Sequence, residues 1–280
     1  LDGNIGTLGA AVTCGVRFPT QCDDFKSHRN IYKNFNPTNT YYGMVNINAT
    51  SPTTNARFSS TEDTFISATG AGVTCMGINT SQILEATIRD GYFSNFNYSP
   101  FNLNALSAGT SNGRTKLNIS NNVMVQGANY ASANSVVSLM GDDIECTGNK
   151  IVGGEIGIVV HSASGFTSQL RNVLVHGNSI WSTIRDGIQV NQDVHTNVVV
   201  TSNMLWQCGT GDAGGSSAGK GIDCVGLYIG GPDYPAVPGE ASPASPGLVV
   251  ANNTIYDGID ASGYNYTGSF NEPAGIGCFG

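Results

Sequence analysis

The stretch VVVTSNMLWQC, residues 198–208, places one amide where an amide is unexpected. A run of β-branched residues ends in a small polar turn, and Asn203 lies at the bend before a second apolar run begins at Met204. An amide buried beside such strands without a hydrogen-bonding partner costs about 1–3 kcal/mol. Asn203 therefore requires a specific partner, and the rest of the sequence indicates what it is.

The same motif recurs along the chain, as an apolar run, a polar turn, an amide, one further residue and a second apolar run. The other clear copies are LNISNNVMVQG, IECTGNKIVGG, VLVHGNSIWST and LVVANNTIYDG. Their amides, here called the ladder positions, are Asn122, Asn149, Asn178, Asn203 and Asn253. Weaker copies toward the N-terminus have the residues Asn4, Asn30, Asp63 and Gly91 at the ladder position.

Successive ladder positions are 25 to 33 residues apart, except for a last interval of 50 residues. No helical period is sustained over a dozen residues, and short strands separated by turns recur instead. A third short strand follows in each unit, as in GIVV (157–160), GIQV (187–190) and GLYI (226–229). Three strands in a unit of this length predict an all-β fold, a single-stranded parallel β-helix of about nine coils stacked about 4.8 Å apart.

Stacked coils give the amide of Asn203 its partners. At one corner of every coil the side chain would point inward and lie above the amide of the neighbouring coil. Each amide can then donate to one neighbour and accept from the other, so that a buried polar column is satisfied. The alternative is that Asn only marks turns, which does not explain why an apolar residue follows two positions later in every copy. The sequence therefore predicts an asparagine ladder.

Composition restricts the function. The chain has 280 residues, of which 11% are charged, and a formal net charge of −8. Nucleic acid is therefore an unsuitable partner, because phosphate binding needs a basic face. No apolar run reaches the ~20 residues of a membrane helix, so no membrane insertion is expected. Leu1 already lies inside a repeat, so no signal peptide is expected.

Seven cysteines are present, and none is arranged as CxxC. The sequence therefore predicts no metal site and no cofactor. Cys146 and Cys224 fall at inward-facing strand positions and are interpreted as small core residues. Cys14 and Cys22 are close enough in sequence for a local disulfide in a secreted protein, which stays an alternative to free thiols.

The domain organisation follows from the same repeat. We expect a single β-helix domain over 1–280, a fragment without its caps, because the repeats begin and end inside a coil. The interval of 50 residues indicates one coil with two loop excursions, at 209–221 and 230–247. Long loops on a regular scaffold are places where function concentrates, although a simple packing excursion is the alternative.

A column of outward residues is the first candidate site. The residue three positions after each ladder position should point out of the coil, because side chains alternate along a strand. Three residues of this column are aromatic. A strip of exposed aromatic side chains can bind the apolar face of a sugar ring or be buried against another subunit, and the sequence leaves both open. The column consists of Val125, Val152, Trp181, Trp206 and Tyr256.

Acidic residues near the third strands are the second candidate. Paired carboxylates about 5–10 Å apart suit glycoside hydrolysis. We expect Glu155 to act as general acid and Asp186 as base or nucleophile, with Asp223 as the reserve partner. The alternative is that all three are solvated turn residues. Further candidate substrate-binding residues are Tyr228, Asp257, His161 and Arg185.

These coils resemble a known group. VHGNSI, TSNMLW and the GIxV third strands are similar to the right-handed parallel β-helix of the pectate-lyase-like superfamily. Within it, the opening LDGNIG and the low-charge coils most resemble the central domain of bacteriophage tailspikes. The chain lacks the RxPxxR motif of pectate lyases, the GHG of polygalacturonases and the DPHD-like motif of alginate epimerases.

The resemblance implies an extracellular protein of a virion tail or cell surface, a homotrimer that binds and cleaves a bacterial capsule or O-antigen polysaccharide. The expected reaction is glycosidic hydrolysis. The alternatives are a non-catalytic carbohydrate-binding adhesin, a structural spike segment and a secreted polysaccharide lyase. The sequence names no particular sugar, because fold does not determine the reaction.

Overall fold

The computed structural model describes fifteen segments of the chain. They are 16–18, 24–35, 43–48, 57–67, 76–96, 101–105, 116–126, 135–140, 143–161, 169–183, 186–192, 194–208, 222–226, 247–256 and 276–279. Asn4, Cys14, Cys22, the excursion 209–221 and nearly all of 230–247 lie outside these segments. No helix within them has the length and apolar character needed to cross a membrane.

The described strands form a parallel β-solenoid with three sheets, and successive strands along the chain belong to sheets 1, 2 and 3 in turn. Every pairing is parallel. Sheet 1 contains nine strands and the other two contain eight each in the described part of the chain. The predicted all-β parallel solenoid is therefore confirmed, while its right-handed sense and the single-domain limits stay predictions.

The strands of sheet 1 are β1 (Val16–Phe18), β4 (Gly43–Asn48), β7 (Met76–Ile83), β10 (Phe101–Ala105), β13 (Ser135–Met140), β16 (Ile156–His161), β19 (Ile188–Gln192), β22 (Ile222–Gly226) and β25 (Ile276–Phe279). Those of sheet 2 are β2 (Phe25–His28), β5 (Arg57–Thr61), β8 (Glu85–Arg89), β11 (Lys116–Ser120), β14 (Ile144–Thr147), β17 (Gln169–His176), β20 (Val194–Thr201) and β23 (Leu248–Ala251). Those of sheet 3 are β3 (Ile31–Lys33), β6 (Thr64–Ile66), β9 (Tyr92–Phe96), β12 (Val123–Gln126), β15 (Lys150–Val152), β18 (Ser179–Trp181), β21 (Met204–Trp206) and β24 (Thr254–Tyr256).

The interior is filled rung by rung with residues that occupy the same register position. In sheet 3 the inward position holds Tyr32, Phe65 and Phe93, whose rings stack with centroids 4.7 Å apart and planes within 7°. Apolar residues without rings continue this column in later rungs, through the buried Leu205 to the partly buried Ile255. Stacking of identical positions buries apolar surface between every pair of coils, and this burial is the main favourable term of the fold.

The asparagine ladder is confirmed. The side-chain Nδ2 of Asn122 donates to Oδ1 of Asn149 at 3.0 Å, and Asn149 donates to Asn178 at 2.9 Å. Asn178 donates to Asn203 at 3.0 Å, and Asn203 donates to Asn253 at 2.9 Å. The column lies at the corner between sheets 2 and 3, and its first four amides are buried.

Every hydrogen-bonding site of a ladder amide is used. Oδ1 of Asn178 accepts from the backbone N–H of Asn149 at 3.0 Å and from its Nδ2 at 2.9 Å. Nδ2 of Asn178 donates to Oδ1 of Asn203 and to the backbone carbonyl of Cys146 at 2.8 Å. An amide has two donor hydrogens and two acceptor lone pairs, so this buried group is fully satisfied.

Two of the weaker copies, at Asp63 and Gly91, keep the position without the amide. Asp63 accepts from the backbone N–H of Asn30 at 2.7 Å and from the Ser60 hydroxyl at 2.6 Å. Gly91 leaves the position empty, and its backbone N–H donates to Oδ1 of Asn122 at 2.9 Å. A Cβ at Gly91 would lie 2.8 Å from the Phe93 ring, so the neighbouring aromatic fills the space.

One third strand begins earlier than the sequence predicts. The prediction is GLYI (226–229), of which residues 227–229 lie outside the described segments, and the described strand is β22, which begins four residues earlier. Its Ile222 and Cys224 align with Ile188 and Val190 of β19, and this register keeps apolar residues in line with the buried ones of the previous rung. Cys146 is a buried core residue, as predicted, while the side chain of Cys224 lies outside the described ones.

Candidate functional site

The outer face of sheet 3 aligns the predicted aromatic column. Val125 pairs with Val152, Val152 with Trp181, Trp181 with Trp206, and Trp206 with Tyr256, each across one pair of adjacent strands. A line through these residues therefore runs along the solenoid axis, perpendicular to the strands. The backbone placement of the whole column is as predicted.

The column is accessible. Val152 is 38% exposed and Trp206 is 47% exposed, while Trp181 between them is half-buried. Met204, at the first outward position of β21, is 39% exposed and widens the apolar surface beside Trp206. The side chain of Tyr256 lies outside the described ones. Exposed apolar residues in a contiguous row, rather than scattered singly, indicate a binding surface.

Charge is nearly absent from this face. The outward positions of sheet 3 from β12 onward hold Val123, Val125, Lys150, Val152, Ser179, Trp181, Met204, Trp206 and Thr254. Among these described side chains Lys150 is the one charged residue. Ser179, Met204 and Thr254 follow Lys150 in register, so the surface next to the tryptophans offers hydroxyl groups and apolar atoms.

The predicted acid pair lies below the surface. Glu155 is 4% exposed and Asp186 is 1% exposed, at the corner between sheets 3 and 1 in successive rungs. Gly157, two residues after Glu155, donates its N–H to the backbone carbonyl of Asp186 at 3.0 Å. Side chains at this depth do not reach a polymer that lies on the outer face, so cleavage by this pair requires the corner to open.

Tight backbone packing explains the burial of Glu155. Gly153 and Gly154 have φ of +83° and +92°, which only glycine adopts without strain. A Cβ on Gly154 would collide with the side chain of Val136, and one on Gly157 would lie 2.5 Å from the carbonyl oxygen of Gly187. The glycines thus let this corner pack closely against the neighbouring strands, and Glu155 is buried there.

Asp186 shares its corner with other polar side chains. Burial raises the pKa of the Cys208 thiol, hydrogen bonds with Thr183 oppose the rise, and the negative charge of Asp186 adds to it. Asp186, Thr183 and Cys208 are therefore close neighbours, and all three are buried. Within the segments that the structure describes, no group of three or more His, Cys, Asp or Glu side chains could hold a metal ion.

The remaining predicted site residues are only partly described. Asp223, the predicted reserve partner, lies within β22, where its backbone pairs with Gln189. His161 is the last residue of β16, and its backbone pairs with Asn191. The side chains of Asp223 and His161, and the whole of Arg185, Tyr228 and Asp257, lie outside the described residues.

A second polar column, which is exposed, was not predicted from the sequence. Nδ2 of Asn197 donates to Oδ1 of Asn172 at 3.0 Å, and Nδ2 of Asn172 donates to Oδ1 of Asp143 at 2.6 Å. All three have φ between +51° and +56°; Asp143 immediately precedes β14, and Asn172 and Asn197 lie within β17 and β20 of sheet 2. Each precedes a ladder position by six residues, so the repeat spacing itself would have revealed them.

No protein family, curated protein or solved structure matched the chain.

Proposed function

We propose that this protein binds a polysaccharide on the outer face of sheet 3. The observation that supports it most is the pair Trp181 and Trp206, one rung apart on an accessible and almost uncharged face. Indole rings offer a large, rigid apolar surface with one hydrogen-bond donor, which matches a sugar ring that has an apolar face and polar edges. Repeated strands place equivalent side chains at regular intervals, which suits a repeating polymer.

The resemblance to phage tailspikes supplies the biological setting of the proposal. The ligand would be a capsule or O-antigen polysaccharide of a bacterial surface, and the protein would act outside the cell, in a virion tail or at a cell surface. We propose a closed homotrimer, with no nucleic-acid or membrane partner. A carbohydrate-binding function without cleavage needs only the outer face, whereas a structural spike segment would bury the tryptophans between subunits.

Hydrolysis of the bound glycan is the second candidate. It is supported by two carboxylates, Glu155 and Asp186, which lie at one corner in successive rungs. In this role Glu155 protonates the glycosidic oxygen, and Asp186 activates water or attacks the anomeric carbon. Their burial favours binding as the primary function, because the corner must open before either carboxylate meets the chain.

The binding function is tested by retention on immobilised bacterial capsular and O-antigen polysaccharides. Wild type should be retained by at least one polysaccharide, and Trp206→Ala should bind it about tenfold or more weakly, as expected for an aromatic residue at a binding centre. Val249→Ala is the matched control, because Val249 is 49% exposed but lies on sheet 2. Equal retention of the two variants would exclude the sheet 3 face as the binding site.

Cleavage is tested separately by the release of reducing sugars from the retained polysaccharide. If Glu155 and Asp186 are catalytic, Glu155→Gln and Asp186→Asn should each lower turnover by orders of magnitude and leave retention unchanged. Wild-type turnover in both variants would exclude Glu155 and Asp186 as catalytic residues. Products with the ultraviolet absorbance of an unsaturated uronide would identify a lyase instead, and no products at all would identify a binding protein.

A further inference from the structure

Charged residues are unevenly distributed between the faces of the solenoid. In the early rungs, ion pairs lie beside sheet 2 and at its corner with sheet 3, namely Lys26–Asp24 at 3.3 Å, Arg29–Glu62 at 2.6 Å and Arg57–Glu85 at 3.6 Å. From β12 onward the described outward side chains of sheet 3 include a single charged group, Lys150. The tryptophan column lies in this uncharged part.

We infer that the polysaccharide on sheet 3 is an uncharged glycan that lies along the solenoid axis. The inference rests on the proposed function and adds the chemical class and direction of the ligand. A polyanionic glycan is attracted by clustered cations and repelled by like charge. The chain has a formal net charge of −8, and Lys150 is the one cation among the described outward residues of sheet 3 from β12 onward.

The direction follows from the register. Trp181 and Trp206 are Cα partners on adjacent parallel strands, so the vector between them is parallel to the axis. A chain that contacts both indoles must run in this direction, because a chain that followed one strand would meet only one of them. Val152 occupies the next equivalent position, one rung before Trp181, and offers a smaller apolar contact there.

The chain has only two tryptophans, and both belong to this column. Intrinsic tryptophan fluorescence therefore reports binding at the proposed site alone. The probes are purified bacterial capsular and O-antigen polysaccharides, divided into uncharged and uronate- or sialate-containing sets, with dextran and polygalacturonate as references. We expect a saturable fluorescence change with a member of the uncharged set. Its Kd should change less than about twofold between about 0.05 and 0.5 M salt, because an uncharged glycan carries no charges whose attraction salt could screen.

A gain-of-function variant tests the direction. Val152→Trp extends the indole column by one rung and should tighten binding of the long uncharged chain by about threefold or more. A single-repeat oligosaccharide should gain less, since it cannot reach the added rung. Val249→Trp adds the same side chain at a comparably exposed position of sheet 2 and should leave Kd unchanged. The thermal midpoint of each variant checks that it remains folded.

The possible results separate the inference from the proposed function. Binding restricted to anionic glycans, with a Kd that weakens steeply with salt and in Lys150→Ala, would overturn the inference and leave carbohydrate binding intact. An unchanged Kd in a folded Val152→Trp would overturn the axial direction. Absence of a fluorescence change with every probe would overturn both, and a fluorescence change on dilution alone would identify a second copy of the chain as the occupant.

Discussion

Asn178 shows at the scale of one residue why this sequence forms a solenoid. Its side chain makes four hydrogen bonds, to groups of the rungs before and after it, in the buried corner between sheets 2 and 3. A valine of similar size would satisfy none of them. The amide therefore fixes the register in which neighbouring rungs align, while the apolar neighbours supply most of the favourable burial.

Asn178→Val should be strongly destabilising. The change leaves the backbone N–H of Asn149, one hydrogen of its Nδ2 and the carbonyl of Cys146 without these partners. We expect the free energy of unfolding to fall by at least about 1–3 kcal/mol in urea titration. Asn118→Val, on the outer face of β11, is the control and should change it by about 1 kcal/mol or less. Equal stability of wild type and Asn178→Val would show that the column is solvated.

The thiol of Cys146 should make stability depend on alkaline pH. Burial raises its pKa from 9.0 to about 12, and a hydrogen bond from Nδ2 of Asn149 opposes the rise. In the unfolded chain the thiol ionises first, so the unfolded state binds fewer protons than the folded state between these two values. Stability is therefore fully present below pH 9.0 and is lost toward about pH 12, at up to about 1.4 kcal/mol per pH unit.

The control for this effect is Cys146→Ala, which removes the titrating group but leaves every other ionisable residue in place. The stability curves of wild type and variant against pH should converge across that window, because wild type loses stability that the variant does not. Curves that stay parallel would mean that the Cys146 thiol ionises alike in the folded and unfolded states.

At the scale of an element, the turn between sheets 2 and 3 is the most regular feature. The residue before every described ladder position has φ between +54° and +65°. These residues are Arg29, Glu62, Asp90, Asn121, Gly148, Gly177, Ser202 and Asn252. Six of them are not glycine, so the turn is imposed by the rungs on either side, and the left-handed backbone costs about 1–2 kcal/mol at a non-glycine residue.

Two reciprocal substitutions test this turn. Gly177→Ala should lower the free energy of unfolding by about 1 kcal/mol, because a Cβ there meets nothing closer than 4.0 Å and only the left-handed φ is unfavourable. Ser202→Gly, at the same position of the next rung, should leave stability unchanged or raise it, since glycine removes the strain. Urea midpoints measure both, and a stabilising Gly177→Ala would contradict the role of the backbone conformation.

The elements that repeat strictly were the ones that the sequence could predict. The ladder asparagines from Asn122 to Asn253 mark one corner, because a buried amide needs hydrogen-bonding partners and the amides of neighbouring rungs supply them. The outward register of Trp181 and Trp206 follows from the alternation of side chains along a strand. The start of the third strand at β22 was not predicted, because GLYI also has a glycine next to apolar residues and matches the pattern of the other third strands. The burial of Glu155 could not be predicted from the sequence, because it depends on the close packing of Gly154 against Val136. The repeat spacing does not reveal this contact between rungs.

At the scale of the whole molecule, the sheets of the solenoid present long outer faces that differ in charge and in apolar character. Residues of the interior and of the ladder corner pack the coils together, and ion pairs lie beside sheet 2 in the early rungs. The outer face of sheet 3 from β12 onward combines accessibility, apolar character and regular spacing. Its use for a polymeric ligand is the proposal that best fits this distribution.

Assembly provides a further test at this scale. We expect a closed homo-oligomer, a trimer by resemblance, whose contacts between subunits leave the outer face of sheet 3 accessible. Light scattering at micromolar concentration should give a mass near three times 29.1 kDa. A monomer at that concentration would contradict the trimer, and it would leave the glycan site unaffected if Trp206 remains accessible.

Quenching of tryptophan fluorescence by acrylamide tests the central claim most directly, because both tryptophans of the chain lie in the proposed site. The free protein at its native oligomeric state should be quenched efficiently, as expected for a Trp206 that is 47% exposed. Saturation with the polysaccharide that the immobilised panel retains best should protect both indoles and lower the quenching constant severalfold. Quenching that is already weak without glycan, or that is unchanged when glycan is bound, would contradict a free binding face on sheet 3.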